Sequence, residues 1–254
     1  MRRTVLAVLA LAVLAPFVAV AQEAEEQQPL QVYVAYYKIG YAEMEEWIRV
    51  YHEVSVPILQ ELQDEGTIQG WSAWQHQTGG EYNWRFAVRA PQWAQLGQFW
   101  EQYLARLAER FPDELAVSSA MIQAHYDEIW DITGIHMPDS PPATQYVYDS
   151  RYQLNFTDMD EWNAVWDEVL APVMEQAMTD GLLGGWVTEG HNTGGRFNWK
   201  VLYMFEEWDD MDDFFMRVTG AITADPQVWQ RIAGMIDAHD DVIWSMVPEP
   251  EEGM

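Results

Sequence analysis

Two histidines inside a repeated nonapeptide are the residues of this chain with the clearest potential for chemistry. The sequence HQTGGEYNW begins at His76, and the sequence HNTGGRFNW begins at His191. A histidine side chain transfers protons near neutral pH and also binds metal ions. His76 and His191 are therefore our candidate catalytic residues. The alternative is a structural role, in which each histidine bonds a neighbouring Asn or Thr.

The likeness between the two halves of the chain extends far beyond the nonapeptide. The two nonapeptides lie 115 residues apart, and Met44 matches Met159 at the same spacing. The segment MIQAHYDEIW (121–130) matches MIDAHDDVIW (235–244) at a spacing of 114. Such self-similarity indicates a tandem duplication. The predicted division of the chain is a signal peptide (1–21), a disordered segment (22–30), a first repeat (31–132), a linker (133–145), a second repeat (146–247) and an acidic tail (248–254).

Each repeat shows the same order of secondary-structure patterns. A strand rich in Val and Tyr (31–39) comes first, and a helix follows that Pro57 should kink or split. Two strands flank Gly79-Gly80, a second helix begins at Trp93, and a last strand closes the unit. The order β-α-β-β-α-β is the ferredoxin-like pattern, so we predict an α+β fold of two tandem ferredoxin-like units.

The chain resembles the dimeric α+β-barrel superfamily and, within it, NIPSNAP-type domains. The resemblance rests on Glu46-Trp47 in the first helix, on Gly70 and Trp74 in the second strand, on His76 with its Gly-Gly turn, and on the segment 225–244. It implies that the two units pack sheet against sheet as an intramolecular barrel with the helices outside. Members of the superfamily include cofactor-free oxygenases, isomerases and haem enzymes, so the fold alone does not choose an activity.

A turn at Gly79-Gly80 determines which side chains face the barrel interior. It pairs Trp74 with Arg85 and His76 with Asn83, on the sheet face away from the helices. The second repeat carries a Glu-Lys pair and a His-Asn pair at the matching positions. The candidate ligand-binding residues on this face are Trp74, Asn83, Arg85, Asn198 and Lys200. The first strand of each repeat adds further residues to the same face: Val34, Tyr36 and Lys38 in the first repeat, and Asp149, Arg151 and Gln153 in the second.

The strand order of a ferredoxin-like sheet, 4-1-3-2, suggests a second group of candidates. Strands two and four are opposite edges, so closing the barrel brings strand two of one repeat beside strand four of the other. We therefore expect His76 to approach His239, and His191 to approach His125. Both His125 and His239 are candidate ligand-binding residues, and each has an aspartate two residues later on the same strand face.

Composition excludes several classes of function. The formal net charge of −28 comes from 41 acidic and 13 basic residues and repels nucleic acid, so we expect no nucleic-acid partner. The chain has no Cys, which removes thiolate nucleophiles and disulfides. The sequence contains no dense ligand motif such as H-E-x-x-H, and we predict neither a metal site nor a cofactor.

The first residues, MRRTVLAVLALAVLAPFVAVAQ, have the form of a cleavable signal peptide. Arg2 and Arg3 precede an apolar core, and Ala19-Val20-Ala21 is a small-x-small cleavage site. We therefore expect a secreted or periplasmic protein that is cut after Ala21 and has no stable membrane association. We also expect a monomer, because the two repeats supply both halves of the barrel.

Three functions fit these features. The first is binding of a small ligand, aromatic or not, in a polar and aromatic barrel interior. The second is a cofactor-independent oxygenase or isomerase that uses His76 and His191, with Arg85 and Lys200 polarising a carbonyl. The third is a non-catalytic structural or interaction module with a filled barrel. A cavity of several hundred Å³ would favour the first two.

Overall fold

A computed structural model describes residues 30–247 of the chain. The predicted signal peptide, the N-terminal segment up to residue 29 and the acidic tail (248–254) lie outside the described residues. Within residues 30–247, no helix is both long enough and apolar enough to cross a membrane.

The first half of the described chain follows the predicted order of elements. Its strands and helices are β1 (Gln31–Ile39), α1 (Met44–Val50), α2 (Val56–Asp64), β2 (Gly70–Thr78), β3 (Trp84–Ala90), α3 (Trp93–Arg110), α4 (Pro112–Met121) and β4 (Ile122–His136). Strand β4 continues past residue 132 into the predicted linker.

The second half repeats this order. Its elements are β5 (Tyr146–Leu154), α5 (Met159–Val165), α6 (Ala171–Thr179), β6 (Gly185–Thr193), β7 (Trp199–Phe205), α7 (Asp210–Ala224), α8 (Pro226–Met235) and β8 (Ile236–Met246).

The predicted proline break in the first helix appears as one π-helical turn in each half. Residues Tyr51–Ser55 join α1 to α2, and Trp166–Leu170 join α5 to α6. Pro57 and Pro172 follow these turns at the start of the next helix. Because proline has no N–H to donate to the preceding turn, the wider π turn lets the helix continue without an abrupt end.

The eight strands form one closed antiparallel barrel in the order β1-β3-β2-β8-β5-β7-β6-β4. Each half contributes the predicted 4-1-3-2 sheet, and the two seams are β2 with β8 and β4 with β6. The predicted fold class, two ferredoxin-like units joined sheet to sheet as an α+β barrel, is confirmed. Closure leaves the barrel without an exposed sheet edge.

Three apolar clusters follow from the alternation of side chains along the strands. In each half, the outward face packs on that half's helices, with Phe86 and Phe99 in the first cluster and Val201 and Phe214 in the second. The third cluster lies inside the barrel and includes Trp130. The predicted hairpin register is also confirmed, since Trp74 pairs with Arg85 and Glu189 with Lys200.

Candidate functional site

The Gly-Gly pair of each nonapeptide forms the tip of a hairpin at a seam of the barrel. Gly79 and Gly80 have φ values of 84° and 66°, and Gly194 and Gly195 have values of 85° and 66°. Residues other than glycine rarely adopt this left-handed region. The tip also lies close to the neighbouring strand, because a Cβ on Gly79 would overlap the backbone oxygen of Asp241 in the other half.

His76 and His191, the candidate catalytic residues, bond to their own hairpins. The Nε2 atom of His76 contacts the carbonyl oxygen of Gly79, and Nε2 of His191 lies 2.6 Å from that of Gly194. Each ring also meets an interior tryptophan edge-on across the seam. Neither histidine lines a cavity at either end of the barrel.

The asparagine that precedes the last tryptophan of each nonapeptide, Asn83 or Asn198, joins strands within its half. The Oδ1 atom of Asn83 accepts from the backbone N–H of Ile39 at 2.8 Å, and its Nδ2 donates to the Ile39 carbonyl at 2.6 Å. Asn198 makes the same pair of bonds to Leu154. The geometry places both candidates in strand pairing and outside the cavities.

The expected approach of the histidines at the seams is wrong. Strands β2 and β8 do pair, but His76 lies opposite Trp244, and His239 lies opposite Tyr152 on β5. Trp244 is an odd number of residues from His239, so the two side chains point to opposite faces of the sheet. His191 and His125 are separated in the same way, since His191 lies opposite Trp130. His125 and His239 face outward.

Charged side chains, all deeply buried, fill the middle of the barrel. Nζ of Lys200 is 2.7 Å from Oε2 of Glu189 and lies 4.3 Å from the ring centre of Trp130. Nε of Arg85 is 4.0 Å from the carboxylate of Asp149. Lys200, Asp149 and Trp130 are fully shielded from solvent. The barrel is therefore blocked at its centre by an ionic and aromatic layer.

The two repeats contribute different chemistry to the interior. Tyr36 of the first repeat corresponds to Arg151 of the second, and Trp74 corresponds to Glu189. Arg151 lies 5.6 Å from the ring centre of Tyr36 across the barrel. Aromatic side chains come mainly from one half and charged ones mainly from the other, so the interior does not follow the two-fold symmetry of the strands.

Within residues 30–247, the barrel has a cavity at each of its ends. The larger, about 420 Å³, lies at the hairpin end. The smaller, about 240 Å³, lies at the other end and is mostly apolar, with the candidates Trp74 and Arg85 in its wall. The larger cavity, named here the hairpin-end cavity, is lined by Tyr36, Gly80, Glu81, Tyr82, Tyr126, Glu128, Arg151, Gly195, Arg196, Phe197, Asp240, Val242 and Trp244.

Two buried charged residues in the wall of the hairpin-end cavity have incomplete hydrogen bonding. Oε2 of Glu128 accepts from the indole of Trp130 at 2.9 Å, whereas its Oε1 makes no hydrogen bond within the described chain. Arg151 donates to Asp240 at 2.7 Å and to the Tyr126 hydroxyl at 3.2 Å, but its Nε also makes none. Buried polar atoms nearly always have a partner, so these two atoms mark the wall of this cavity as a candidate polar contact for a ligand.

The residues that matter most in this cavity were not among the predicted site residues. Tyr36 and Arg151 were expected on the interior face without a functional role, and Glu128 and Tyr126 were not predicted at all. The alternation along β4 carries the signal, because Tyr126, Glu128 and Trp130 occupy every second position. None of the predicted ligand-binding residues lines this cavity.

Comparison with solved structures shows the same fold at low sequence identity. A candidate monooxygenase from Fusobacterium nucleatum superposes with a TM-score of 0.58 and 10% identity, covering 89% of this chain and 97% of that chain. An anthrone oxidase-like protein gives 0.51 and 11%, covering 90% and 95%. A chlorite dismutase variant from Candidatus Nitrospira defluvii gives 0.54 and 9%, covering 87% and 92%.

These structures define the class of the fold as the dimeric α+β barrel, here built by a single chain. They do not distinguish NIPSNAP-type domains from other members, and that narrower resemblance stays a prediction. No family model matches the sequence, and no curated protein is significantly similar to it.

The residues present do not fit a haem group in the barrel cavities. Haem iron takes an axial ligand such as His, Cys, Met or Tyr. No histidine lines either cavity. Met137 and Met204 line the smaller one, but its volume of about 240 Å³ is below the usual range for small-molecule sites. In the larger one, Tyr36, Tyr82 and Tyr126 pack on one another, and the Tyr126 hydroxyl already accepts from Arg151. Across residues 30–247, there is also no group of three or more His, Asp or Glu side chains arranged to hold a metal ion.

Proposed function

We propose that the barrel binds a small, planar aromatic molecule carrying a hydroxyl group in the hairpin-end cavity. The observation that carries this proposal is the pair of buried, incompletely bonded charged residues, Glu128 and Arg151, in an aromatic wall. The volume of about 420 Å³ is within the usual range for small-molecule sites.

The aromatic walls favour a flat ring. Tyr36 and Tyr126 stack on each other with ring centres 4.8 Å apart, and Tyr82 lies 4.9 Å from Tyr126. Trp244 and Phe197 complete the surface. Rings pack on such surfaces in offset or edge-on arrangements, so these walls favour an aromatic ligand independently of its polar groups.

The polar groups favour a hydroxyl over an anion. The free Oε1 of Glu128 accepts a hydrogen bond from a ligand O–H, and the free Nε of Arg151 donates one to the ligand oxygen. Three carboxylates line the cavity, of Glu81, Glu128 and Asp240, against the two guanidinium groups of Arg151 and Arg196. A neutral phenol meets less repulsion here than a carboxylate does.

Calorimetric titration with 2-naphthol and with naphthalene tests the proposal. The wild-type protein should bind 2-naphthol at least about tenfold more tightly, since a hydrogen bond to a charged group contributes about 1.5–3 kcal/mol. The E128Q variant replaces the accepting oxygen by an amide and should remove this preference. E81Q is the matched control, because Glu81 lines the same cavity but is exposed, and it should keep the preference.

Equal affinity for the two probes, or an unchanged preference in E128Q, would contradict the proposed ligand class. Absence of binding by either probe would instead support the third function, an interaction module whose barrel takes no ligand of this kind.

A second candidate function is a cofactor-independent oxygenase at the same cavity. It is favoured by the free Oε1 of Glu128, a base next to an aromatic binding surface, and by the similarity of fold to proteins named as a monooxygenase and an anthrone oxidase-like protein. Glu128 takes this role, rather than His76 and His191, because it lines the cavity. It would accept the C10 proton of a bound anthrone, and O₂ would oxidise the resulting carbanion to the quinone, releasing one water.

Oxygen uptake with anthrone as the probe, in chelator-treated buffer, tests this candidate. We expect uptake above the uncatalysed rate and a loss of at least about 100-fold in E128Q, the usual scale for removing a general base. Uptake that is unaffected by E128Q would assign the reaction to the solvent or to another site.

We further infer that the protein works outside the cytoplasm as a monomer. The signal-peptide pattern of residues 1–21 supports export, and the two halves close the barrel without a second chain. The exported protein should begin at Gln22 on N-terminal sequencing and have the mass of one chain in light scattering. An uncleaved N-terminus or a dimer mass would contradict this inference.

A further inference from the structure

Two matching polar clusters lie on the outward face of the sheet, away from the barrel cavities. They are named here the Tyr–Asp–His clusters. The first contains Tyr33, Tyr37, His125 and Asp127, and the second contains Tyr148, Tyr152, His239 and Asp241.

In the first cluster, an aspartate holds a histidine in a defined orientation. Nε2 of His125 lies 3.1 Å from Oδ2 of Asp127, and the His125 ring stacks on Tyr37 with ring centres 5.3 Å apart. The hydroxyl of Tyr33 donates a hydrogen bond to the same aspartate, and the pKa of Tyr33 is raised well above its usual value by burial and by that bond. The Nε2–H donated to Asp127 leaves the lone pair on Nδ1.

The second cluster repeats this arrangement. Nε2 of His239 lies 2.9 Å from Oδ2 of Asp241, and the ring stacks on Tyr152 at 5.0 Å. Asp241 also accepts from the Ser150 hydroxyl at 2.7 Å, and Tyr148 is its phenol partner. Both histidines are therefore held in the same way by a carboxylate and an aromatic ring.

Stability alone does not account for the presence of the same cluster in both halves. The His and Asp side chains of both clusters are substantially exposed, and exposed ion pairs contribute only about 0–1 kcal/mol. The interior positions of the two repeats, by contrast, have diverged, as Tyr36 and Arg151 do. An exposed polar arrangement that persists in both repeats points to chemistry at the surface.

The first cluster also has room for a substrate. An open groove of about 320 Å³ is lined by Tyr33, Tyr37, Trp100, His125 and Asp127. Trp100 meets Tyr33 edge-on at 5.0 Å, and Phe215 takes the place of Trp100 beside Tyr148 in the second half. The groove offers one flat aromatic surface and one imidazole base.

We propose that each Tyr–Asp–His cluster is a general-base site that enolises a small ketone attached to an aromatic ring. Nδ1 of the histidine accepts a proton from the carbon next to the carbonyl. The electron pair of that C–H bond forms the carbon–carbon double bond of the enolate, and the carbonyl oxygen takes the negative charge. The imidazolium then returns its proton to carbon or oxygen, so the step needs no oxidant or other reactant.

The surrounding groups support this step. The aspartate stabilises the imidazolium that forms, in the way that a carboxylate orients a catalytic histidine. Burial raises the pKa of Tyr37 above its usual value, so the ring that stacks on His125 stays neutral. Asp127 and Asp241 are positioning residues, because they act through the histidines.

The test is hydrogen–deuterium exchange of 2-tetralone in D₂O, followed by proton NMR with the full exported protein. We expect exchange of the protons next to the carbonyl to exceed the buffer rate by at least about 100-fold, which is typical of a positioned base. H125Q and H239Q should each remove part of the acceleration, and the double variant should remove all of it. D127N with D241N should lower the rate, and D127E with D241E, which keep the carboxylates, should retain part of the acceleration.

H136Q is the matched control. His136 also pairs with a carboxylate, at 3.0 Å from Glu175, and stacks on Trp186 at 3.6 Å, but its carboxylate partner is on a helix and it has no counterpart in the other repeat. This variant should keep the wild-type rate. Exchange at the buffer rate in the wild-type protein, or full exchange in the H125Q/H239Q double variant, would overturn the proposal, and neither result depends on the hairpin-end cavity.

Discussion

Replacing Lys200 by Met should lower the free energy of unfolding by about 3–5 kcal/mol, the usual cost of breaking a buried ion pair. Nζ of Lys200 is fully buried and 2.7 Å from Oε2 of Glu189, which is also buried. The substitution leaves the Glu189 carboxylate without its counterion in the middle of the barrel. It also removes the cation that lies over Trp130. Urea denaturation followed by circular dichroism measures the change.

The double variant Lys200→Met/Glu189→Leu separates the charge effect from packing. Removing both charges avoids an unpaired ion, so most of the lost stability should return. Lys38→Met is the exposed control, since Lys38 lies 3.9 Å from Glu81 on the surface and should change stability by less than about 1 kcal/mol. A double variant as unstable as Lys200→Met alone would show that loss of packing, rather than the unpaired charge, causes the effect.

Replacing Gly194 by Ala should destabilise the protein more than the same change at Gly181. Both residues have positive φ, 85° and 78°, where alanine costs about 1–2 kcal/mol. A Cβ on Gly181 meets nothing within 4 Å, whereas a Cβ on Gly194 would collide with the backbone oxygen of Asp127 across the seam. We therefore expect Gly194→Ala to cost about 1–3 kcal/mol more, the usual penalty for overpacking.

Thermal unfolding of the two glycine variants measures this difference directly. Because the two φ values are alike, the comparison isolates the contact between the hairpin tip and the neighbouring strand. Equal destabilisation would mean that the neighbouring strand moves to accept the Cβ without loss of stability, and that the Gly-Gly pair is needed only for the turn.

The fold was predictable because two independent regularities in the sequence agree. The internal repeat indicated two equal units, and the alternation around Gly79-Gly80 fixed the hairpin register that the structure contains. The pairing of β2 with β8 then followed from the 4-1-3-2 order of each sheet. None of these steps required knowledge of packing.

The candidate site was harder to predict, because it depends on which face each strand presents at a seam. The expectation that His76 meets His239 depends on how far β2 and β8 are shifted along each other, which the sequence does not give. A register shift between His76 and Thr78 changes that relative position locally. Trp244 faces inward beside His76. Alternation along β8 places His239, five residues earlier, on the opposite face of the sheet. The cavity at Glu128 and Arg151 depends on contacts between halves, which no single strand pattern reveals.

The opposition of Tyr36 and Arg151 shows what a barrel gains when one chain forms both halves. In a dimer of identical subunits, a residue on the symmetry axis meets its own copy, so an arginine there would face an arginine. Joining the repeats in one chain removes that restriction, and equivalent positions become free to carry opposite charge or different chemistry. Each interior position of this barrel can therefore change independently of its counterpart in the other repeat. The outer face, by contrast, keeps two matching Tyr–Asp–His clusters.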